Sequence, residues 1–206
     1  MEIIEIGDPL EIGKERELEI RVNEKVITLT CTPENIEELV IGFAISEGLS
    51  KNPKVILDGK TAILEVDGNL THIPKIIPKK KFKLDYVKEF ISLLDADYYR
   101  KTRAYHTAVV VSEGEYVRAY DVGRLNSIDK AIGLAYKRGF DFFKSFMVIT
   151  GRITESVAKK CVRAGIPLIV SKAAIIDSAI RVCRETGLSA VSFTTNIVVN
   201  NGAIEI

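Results

Sequence analysis

Alternation and helical spacing of apolar residues divide the chain into a short run of β-type segments and a longer run of alternating β and α segments. Leu18 to Val22 and Lys25 to Cys31 are β-branched alternating runs joined at Asn23-Glu24, which predicts a hairpin. Thr32-Pro33-Glu34 carries helix-start chemistry, with Thr32 as cap. Ile36, Leu39, Val40, Phe43 and Ala44 then share one helical face, which Gly48 ends. Val55 to Leu57 and Thr61 to Val66 read as strands turning at Asp58-Gly59. Residues from about Gly68 to Lys83, with Pro74, Pro78 and three consecutive lysines from Lys79, read as a loop or linker. Asp85 to Leu94 reads as a short amphipathic helix.

The second half is more regular. Tyr105 to Val111 and Tyr116 to Val122 flank a turn at Glu113-Gly114. Helices at about Ser127 to Arg138, Thr154 to Ala164 and Ile176 to Glu185 then alternate with strands at Phe146 to Thr150, Leu168 to Ser171 and Ala190 to Thr194. A last hairpin over Ile197 to Ile206 is expected to turn at Asn200-Asn201-Gly202, and Met1 to Ile6 also reads as a strand. Repeated β-α-β units predict an α/β fold with a mixed, mostly parallel sheet between helical layers. The expected division is an N-terminal α+β part over 1–80 and a second domain over 81–206.

The charge balance, 29 basic against 28 acidic side chains, removes whole-molecule attraction to nucleic acid or an anionic membrane. No apolar run reaches the roughly 18–20 residues that span a bilayer, and the first residues lack a signal-peptide pattern. The expectation is a cytoplasmic protein with no membrane or nucleic-acid partner. Three isolated cysteines, Cys31, Cys161 and Cys183, and two histidines, His72 and His106, show no metal-ligand spacing, so no metal site is expected.

Ligands of open α/β sheets collect beyond the carboxyl ends of the strands. Three strand-to-helix junctions carry a cation there: Asp121 to Asn126 with Arg124, Thr150 to Thr154 with Arg152, and Ser171 to Ala174 with Lys172. Gly123 and Gly151 permit close backbone approach, and helix N-termini favour anions. The set suits a pyrophosphate or nucleotide. The same residues also read structurally, with Asn126, Ser127 or Thr154 as plain caps and Asp129 in a first turn. His106, in a strand, reads either as a packed residue or as part of the site.

The stretch Tyr120 to Lys130, with Asp121-Val122-Gly123-Arg124 and then Asn126, Asp129 and Lys130, resembles the D-V-G-R-H-N-x-x-D-K block of the FdhD family, formate dehydrogenase accessory proteins. Thr32-Pro33 through Gly42-Phe43 to Glu47-Gly48 is similar to that family's N-terminal stretch, and Thr150-Gly151-Arg152 through Glu155 and Lys159 to Gly165-Ile166-Pro167 to a later block. The resemblance implies a cytidine-deaminase-like three-layer core without deaminase zinc. It also implies a homodimer that binds molybdopterin guanine dinucleotide (with Mo or W), for which GDP or GTP would be a mimic. The family passes sulfur from a cysteine desulfurase to that cofactor for formate dehydrogenase. Carried over residue by residue, the cofactor set is His106, Asp121, Gly123, Arg124, Asn126, Asp129, Lys130, Thr150, Gly151, Arg152, Ser171, Lys172, Phe193, Thr194, Thr195 and Asn196.

The chain departs from the family at several positions. The loop that holds the family's sulfur-carrying C-x-x-C reads Ile73-Pro74-Lys75-Ile76-Ile77-Pro78-Lys79-Lys80. The glycine pair of T-G-G-x-H is Arg103-Ala104, the histidine of D-V-G-R-H is Leu125, A-P-T reads Ala174-Ile175-Ile176, and G-F-x-R reads Ser192-Phe193-Thr194-Thr195. Cys31, placed before a helix where its pKa could be lowered, is the one substitute thiol. The alternative is a cofactor- or nucleotide-binding module that has lost sulfur transfer.

Overall fold

Leu18, Ile20 and Val22 all fall on one face of an extended segment, so pairing is the way to bury them. The computed structural model, which describes residues 2–67 and 72–206, pairs β1 (Arg16–Val22) antiparallel with β2 (Lys25–Cys31). Asn23, at φ 53°, supplies the left-handed turn. β3 (Lys54–Asp58) and β4 (Thr61–Glu65) make a second hairpin, and β4 joins β1 in parallel, giving the order β2-β1-β4-β3.

α1 (Ile36–Ser46) covers this sheet with Leu39, Val40 and Ala44 while Ile41 and Ile45 turn into the neighbouring core. Its start corrects the expected cap. The helix begins after Asn35 in the left-handed region (φ 55°), and Thr32 faces another partner described below.

The larger sheet has the order β11-β10-β9-β8-β6-β7. β6 (His106–Ser112) and β7 (Glu115–Asp121) form the predicted hairpin, followed by α4 (Arg124–Lys137), β8 (Ser145–Ile149), α5 (Glu155–Ala164), β9 (Leu168–Ser171), α6 (Asp177–Thr186), β10 (Ser189–Ser192) and β11 (Ile197–Val199). Only the central strands β8, β9 and β10 run parallel. β6 joins β8 antiparallel and β11 joins β10 antiparallel, so the sheet is mixed and its margins depart from the mostly parallel expectation.

Alternate side chains of β6 and β8 enter different cores. Ala108, Val110, Met147 and Ile149 pack under α4, α5 and α6, whereas Val109, Val111, Phe146 and Val148 pack under α2 (Leu84–Glu89), the 3-10 turn Phe90–Leu94 and two short strands, β5 (Phe82–Lys83) and β12 (Ile204–Glu205). A strand buried on both faces reads as a continuous apolar run, as Ala108 to Val111 does.

Several expected elements are revised. Residues 2–6 form no strand and lie exposed. The predicted helix over 85–94 tightens at Phe90 into the 3-10 turn, and α3 (Asp97–Thr102) follows it unforeseen. The last hairpin does not form, because β11 pairs with β10 and β12 pairs with β5. Asn201 turns the chain there by donating its side-chain amide to the Cys183 and Leu188 carbonyls at 3.0 and 2.7 Å. The linker reading falls partly on 68–71, outside the described residues; beyond them, Ile76 enters the main core. Among the described residues no helix is long and apolar enough to cross a membrane.

α1 and α4 approach until their backbones touch. A Cβ on Gly42 would stand 1.7 Å from the Asp129 carbonyl oxygen, and one on Gly133 would stand 2.0 Å from that of Glu38. That contact fixes where α4, and so the junction ahead of it, can lie.

Candidate functional site

Because β6 runs against β8, its first residue shares a sheet edge with the ends of β7, β8 and β9. His106 therefore meets Thr150 and Lys172 in one cleft of about 360 Å³, a size within the range of small-molecule pockets. The opposite wall comes from the segment between the 3-10 turn and β6, through Asp95, Tyr99, Arg103 and Tyr105. The three cations expected at the junctions, Arg124, Arg152 and Lys172, all stand exposed along this edge.

The imidazole of His106 is held from its Nδ1 side. That atom lies 3.3 Å from Thr150 Oγ1, which also accepts from the Thr107 amide at 3.0 Å. A Cβ on Gly151 would stand 3.5 Å from the Arg124 side chain and 3.8 Å from His106 Nδ1, so Arg124 lies across Gly151 toward the ring. Burial pushes the His106 pKa below its ordinary value; the Arg124 charge adds to this and Asp121 opposes it. The imidazole is thus neutral at neutral pH.

Hydroxyl groups lace the loops beneath the cleft. Ser171 Oγ donates to the Gly151 carbonyl at 2.6 Å and accepts from the Ala173 amide, and Thr194 Oγ1 donates to the Lys172 carbonyl at 2.5 Å. Thr195 Oγ1 donates to Ser192 Oγ at 2.6 Å, and Ser192 in turn donates to the Ala173 carbonyl. Ser171, Thr194 and Thr195 thereby shape the loop that carries Lys172. Phe193 packs against the core under α2, and Asn196 makes a left-handed turn at φ 52°.

The rest of the expected set is buried away from the cleft. Asp121, 0% exposed, accepts at Oδ1 from the Gly123 amide (2.8 Å) and Asn126 Nδ2 (3.1 Å). Its Oδ2 accepts from the Thr32 amide (2.9 Å) and lies 2.7 Å from Lys130 Nζ. A carboxylate with its lone pairs so filled has none left for a guanine edge. Asn126 spends its second amide proton on the Thr30 carbonyl, and Lys130 also donates to that of Thr32. Thr32 Oγ1 accepts from the Val122 amide, so this cluster clasps the end of β2 onto the start of α4. Gly123 is small for Asn126, whose Nδ2 would lie 2.9 Å from an added Cβ. Asp129 faces the other way and holds Lys160 Nζ at 2.9 Å from both oxygens, together with Ser46 and Glu47. It is no first-turn dipole partner, because α4 begins at Arg124, ahead of the expected Ser127. None of Asn126, Ser127 and Thr154 serves as a side-chain cap, and Thr154 Oγ1 is buried without a partner.

Comparison with known proteins decides the family. The model of the FdhD/NarQ family matches residues 13–71 and 57–200. The chain belongs to that family. It is 30% identical over 192 residues to protein FdhD of Methanocaldococcus jannaschii, covering 90% of this chain and 85% of that protein. It is 25% identical over 210 residues to the sulfur carrier protein FdhD of Bacillus subtilis, covering 82% and 79%. A crystal structure from Desulfotalea psychrophila, described as a formate dehydrogenase accessory protein, superposes with a TM-score of 0.78 at 21% identity over 92% of this chain and 87% of that one. That similarity establishes a shared mixed α/β fold.

Cys31, Cys161 and Cys183 are all buried, and none lines the cleft. Burial raises the Cys31 pKa, and Asp121 beside it adds to the rise, which reverses the lowering that a helix start suggested. Burial also raises Cys161, and lifts Cys183 to about 11. A thiol that stays protonated and enclosed is a poor nucleophile.

Sequence reasoning missed the wall formed by Asp95, Tyr99 and Tyr105. α3 is too short to show a period, and only the antiparallel β6–β8 ladder brings its neighbourhood to the sheet edge. The available signal was the aromatic and basic density of Tyr98-Tyr99-Arg100 to Arg103-Ala104-Tyr105 directly ahead of His106.

Proposed function

We propose that this protein is a cytoplasmic accessory factor for formate dehydrogenase that binds molybdopterin guanine dinucleotide, with molybdenum or tungsten, in the cleft beside His106. The names of its relatives support the accessory role. The observation that carries the binding assignment is the edge itself, where Arg124 lies across Gly151 toward a neutral His106 with Lys172 on the same cleft.

This donor set fits a pyrophosphate. Arg124 and Arg152 offer forked N–H pairs to phosphate oxygens, and Lys172 offers a point charge. Tyr99 and Tyr105 offer apolar faces with polar tips to a base on the opposite wall. When bound, the cofactor would supply the metal centre, and Arg124, Arg152 and Lys172 of this chain would hold and orient it.

We further read the chain as a binding module that does not carry sulfur on its own thiols. The loop 73–80 has no cysteine, and all three thiols are enclosed. The relatives named as sulfur carriers favour the opposite reading, in which a cysteine desulfurase loads this chain. The hairpin edge followed by three parallel strands with intervening helices supports a cytidine-deaminase-like arrangement. The homodimer is part of the same proposal.

Calorimetry with GDP as the mimic tests the site. Binding is expected, weakened about tenfold or more by Arg124→Ala or Lys172→Ala, since a charge-assisted contact contributes about 1.5–3 kcal/mol. Lys137→Ala, at the far end of α4, serves as the control. No heat at millimolar GDP overturns the assignment. Intact mass after incubation with a cysteine desulfurase and cysteine separates the two sulfur readings, because an added sulfur on any native cysteine would exclude the binding-module form.

A further inference from the structure

The segment ahead of β1 carries apolar side chains that its own chain leaves uncovered. Ile3, Ile4, Ile6, Leu10 and Ile12 are 77%, 70%, 101%, 54% and 82% exposed. Between them stand Glu2, Glu5, Asp8 and Glu11, with no basic residue before Lys14. Solvated tails are poor in β-branched apolar residues, so this composition belongs to a segment that something covers. Among the described residues the arm is anchored at its end, where the Glu11 amide donates to the Lys101 carbonyl (3.0 Å) and the Lys14 amide to Tyr105 Oη (3.0 Å).

A groove of about 540 Å³ opens elsewhere on the molecule, floored by Ile45, Ile76, Tyr136, Phe140, Phe142 and Phe143. Lys51, Lys75, His72 and Arg163, the last paired with Glu47 at 3.1 Å, also line it, and among the described residues no carboxylate does. Phe143 is 40% exposed at its lip, and Ile77 beside Ile76 is 79% exposed. An apolar floor with a basic border complements an apolar arm with acidic residues between its isoleucines.

Strand direction decides which arm fits which groove. Phe142 and Phe143 precede β8, and Gly165 precedes β9, so the groove lies at the starting edge of the parallel strands. The arm is anchored beside Lys101 and Tyr105, ahead of the antiparallel β6 and therefore at the opposite edge. Within one chain Leu10 and Ile12, next to the anchor, cannot reach the groove and would stay bare. A second copy brought against the first can cover both the arm and its base, reciprocally about a two-fold axis.

We propose that residues 2–12 dock into the basic-bordered apolar groove of a second copy of this chain, joining two copies by exchanged arms. The assignment rests on the homodimer proposed above, whose contact it names, and is independent of what the His106 cleft binds.

Cross-linking between distinguishable copies tests it. Ile6→Cys on a tagged full-length chain is mixed with Phe143→Cys on an untagged one and oxidised; the buried native cysteines do not compete. The expected product is a disulfide between one tagged and one untagged copy. Sedimentation should give twice 22.9 kDa for the wild-type chain, a single copy after deletion of 2–12, and dissociation about tenfold easier for Lys75→Glu. A monomeric wild-type chain overturns the homodimer and this contact together, whereas a wild-type dimer that forms no mixed disulfide, or that persists after deletion of 2–12, overturns the exchanged arms alone. So does an Ile6→Cys/Phe143→Cys chain that links only within itself, which would assign the groove to its own arm.

Discussion

Lys130 Nζ and Asp121 Oδ2 lie 2.7 Å apart with their side chains 1% and 0% exposed, a buried ion pair that receives the end of the N-terminal hairpin. Thr32, at the end of the N-terminal hairpin, gives its amide to Asp121 and its carbonyl to Lys130. The most family-like stretch of the sequence therefore serves architecture at Asp121, Asn126 and Lys130, and offers the solvent mainly Arg124.

Removing one partner of this pair leaves a buried charge uncompensated. Lys130→Met is expected to lower stability by about 3–5 kcal/mol in urea unfolding, and adding Asp121→Asn should recover part of that loss. A Lys130→Met chain as stable as the wild type would show that the clasp contributes nothing.

The contact of α1 with α4 sets two physical effects against each other. Alanine is a better helix former than glycine by about 1 kcal/mol, yet a Cβ on Gly133 would stand 2.0 Å from the Glu38 carbonyl oxygen. The clash should win, with Gly133→Ala losing about 3 kcal/mol or more, or failing to fold. Gly7→Ala, with nothing within 4 Å, should be neutral in the same thermal melts.

His106 supplies a pH dependence with a defined sign. Its folded pKa lies below the ordinary value of about 6.5. Above that value both folded and unfolded chains carry it neutral, and it has no effect on stability. As pH falls through about 6.5 the unfolded chain takes up the proton first, so stability declines until the folded pKa is passed. His106→Gln should flatten that part of the profile. In an NMR titration the His106 ring should titrate below about 6.5, and Arg124→Ala should raise its midpoint by removing the neighbouring cation; an unchanged midpoint would contradict the placement of Arg124.

Periodicity along the chain determined most of the elements, because burying an apolar face forces a period of two in strands and 3.6 in helices regardless of distant partners. The β1–β2 and β6–β7 hairpins, helices α4, α5 and α6 and the strands between them are legible in this way, as is the row of cations Arg124, Arg152 and Lys172. Tertiary structure decided what local pattern does not encode. The direction of β6 against β8 joined His106 to Thr150 and Lys172 and brought Tyr99 and Arg103 opposite them. Burial decided that Asp121, Asn126, Asp129 and Lys130 face inward partners, although their spacing alone was equally consistent with caps or ligand contacts. A polar side chain in a sequence announces that it needs a partner. Whether that partner is water, a ligand or the far end of the same chain depends on which backbone segments the fold brings within hydrogen-bonding reach, here Thr32 beside Asp121.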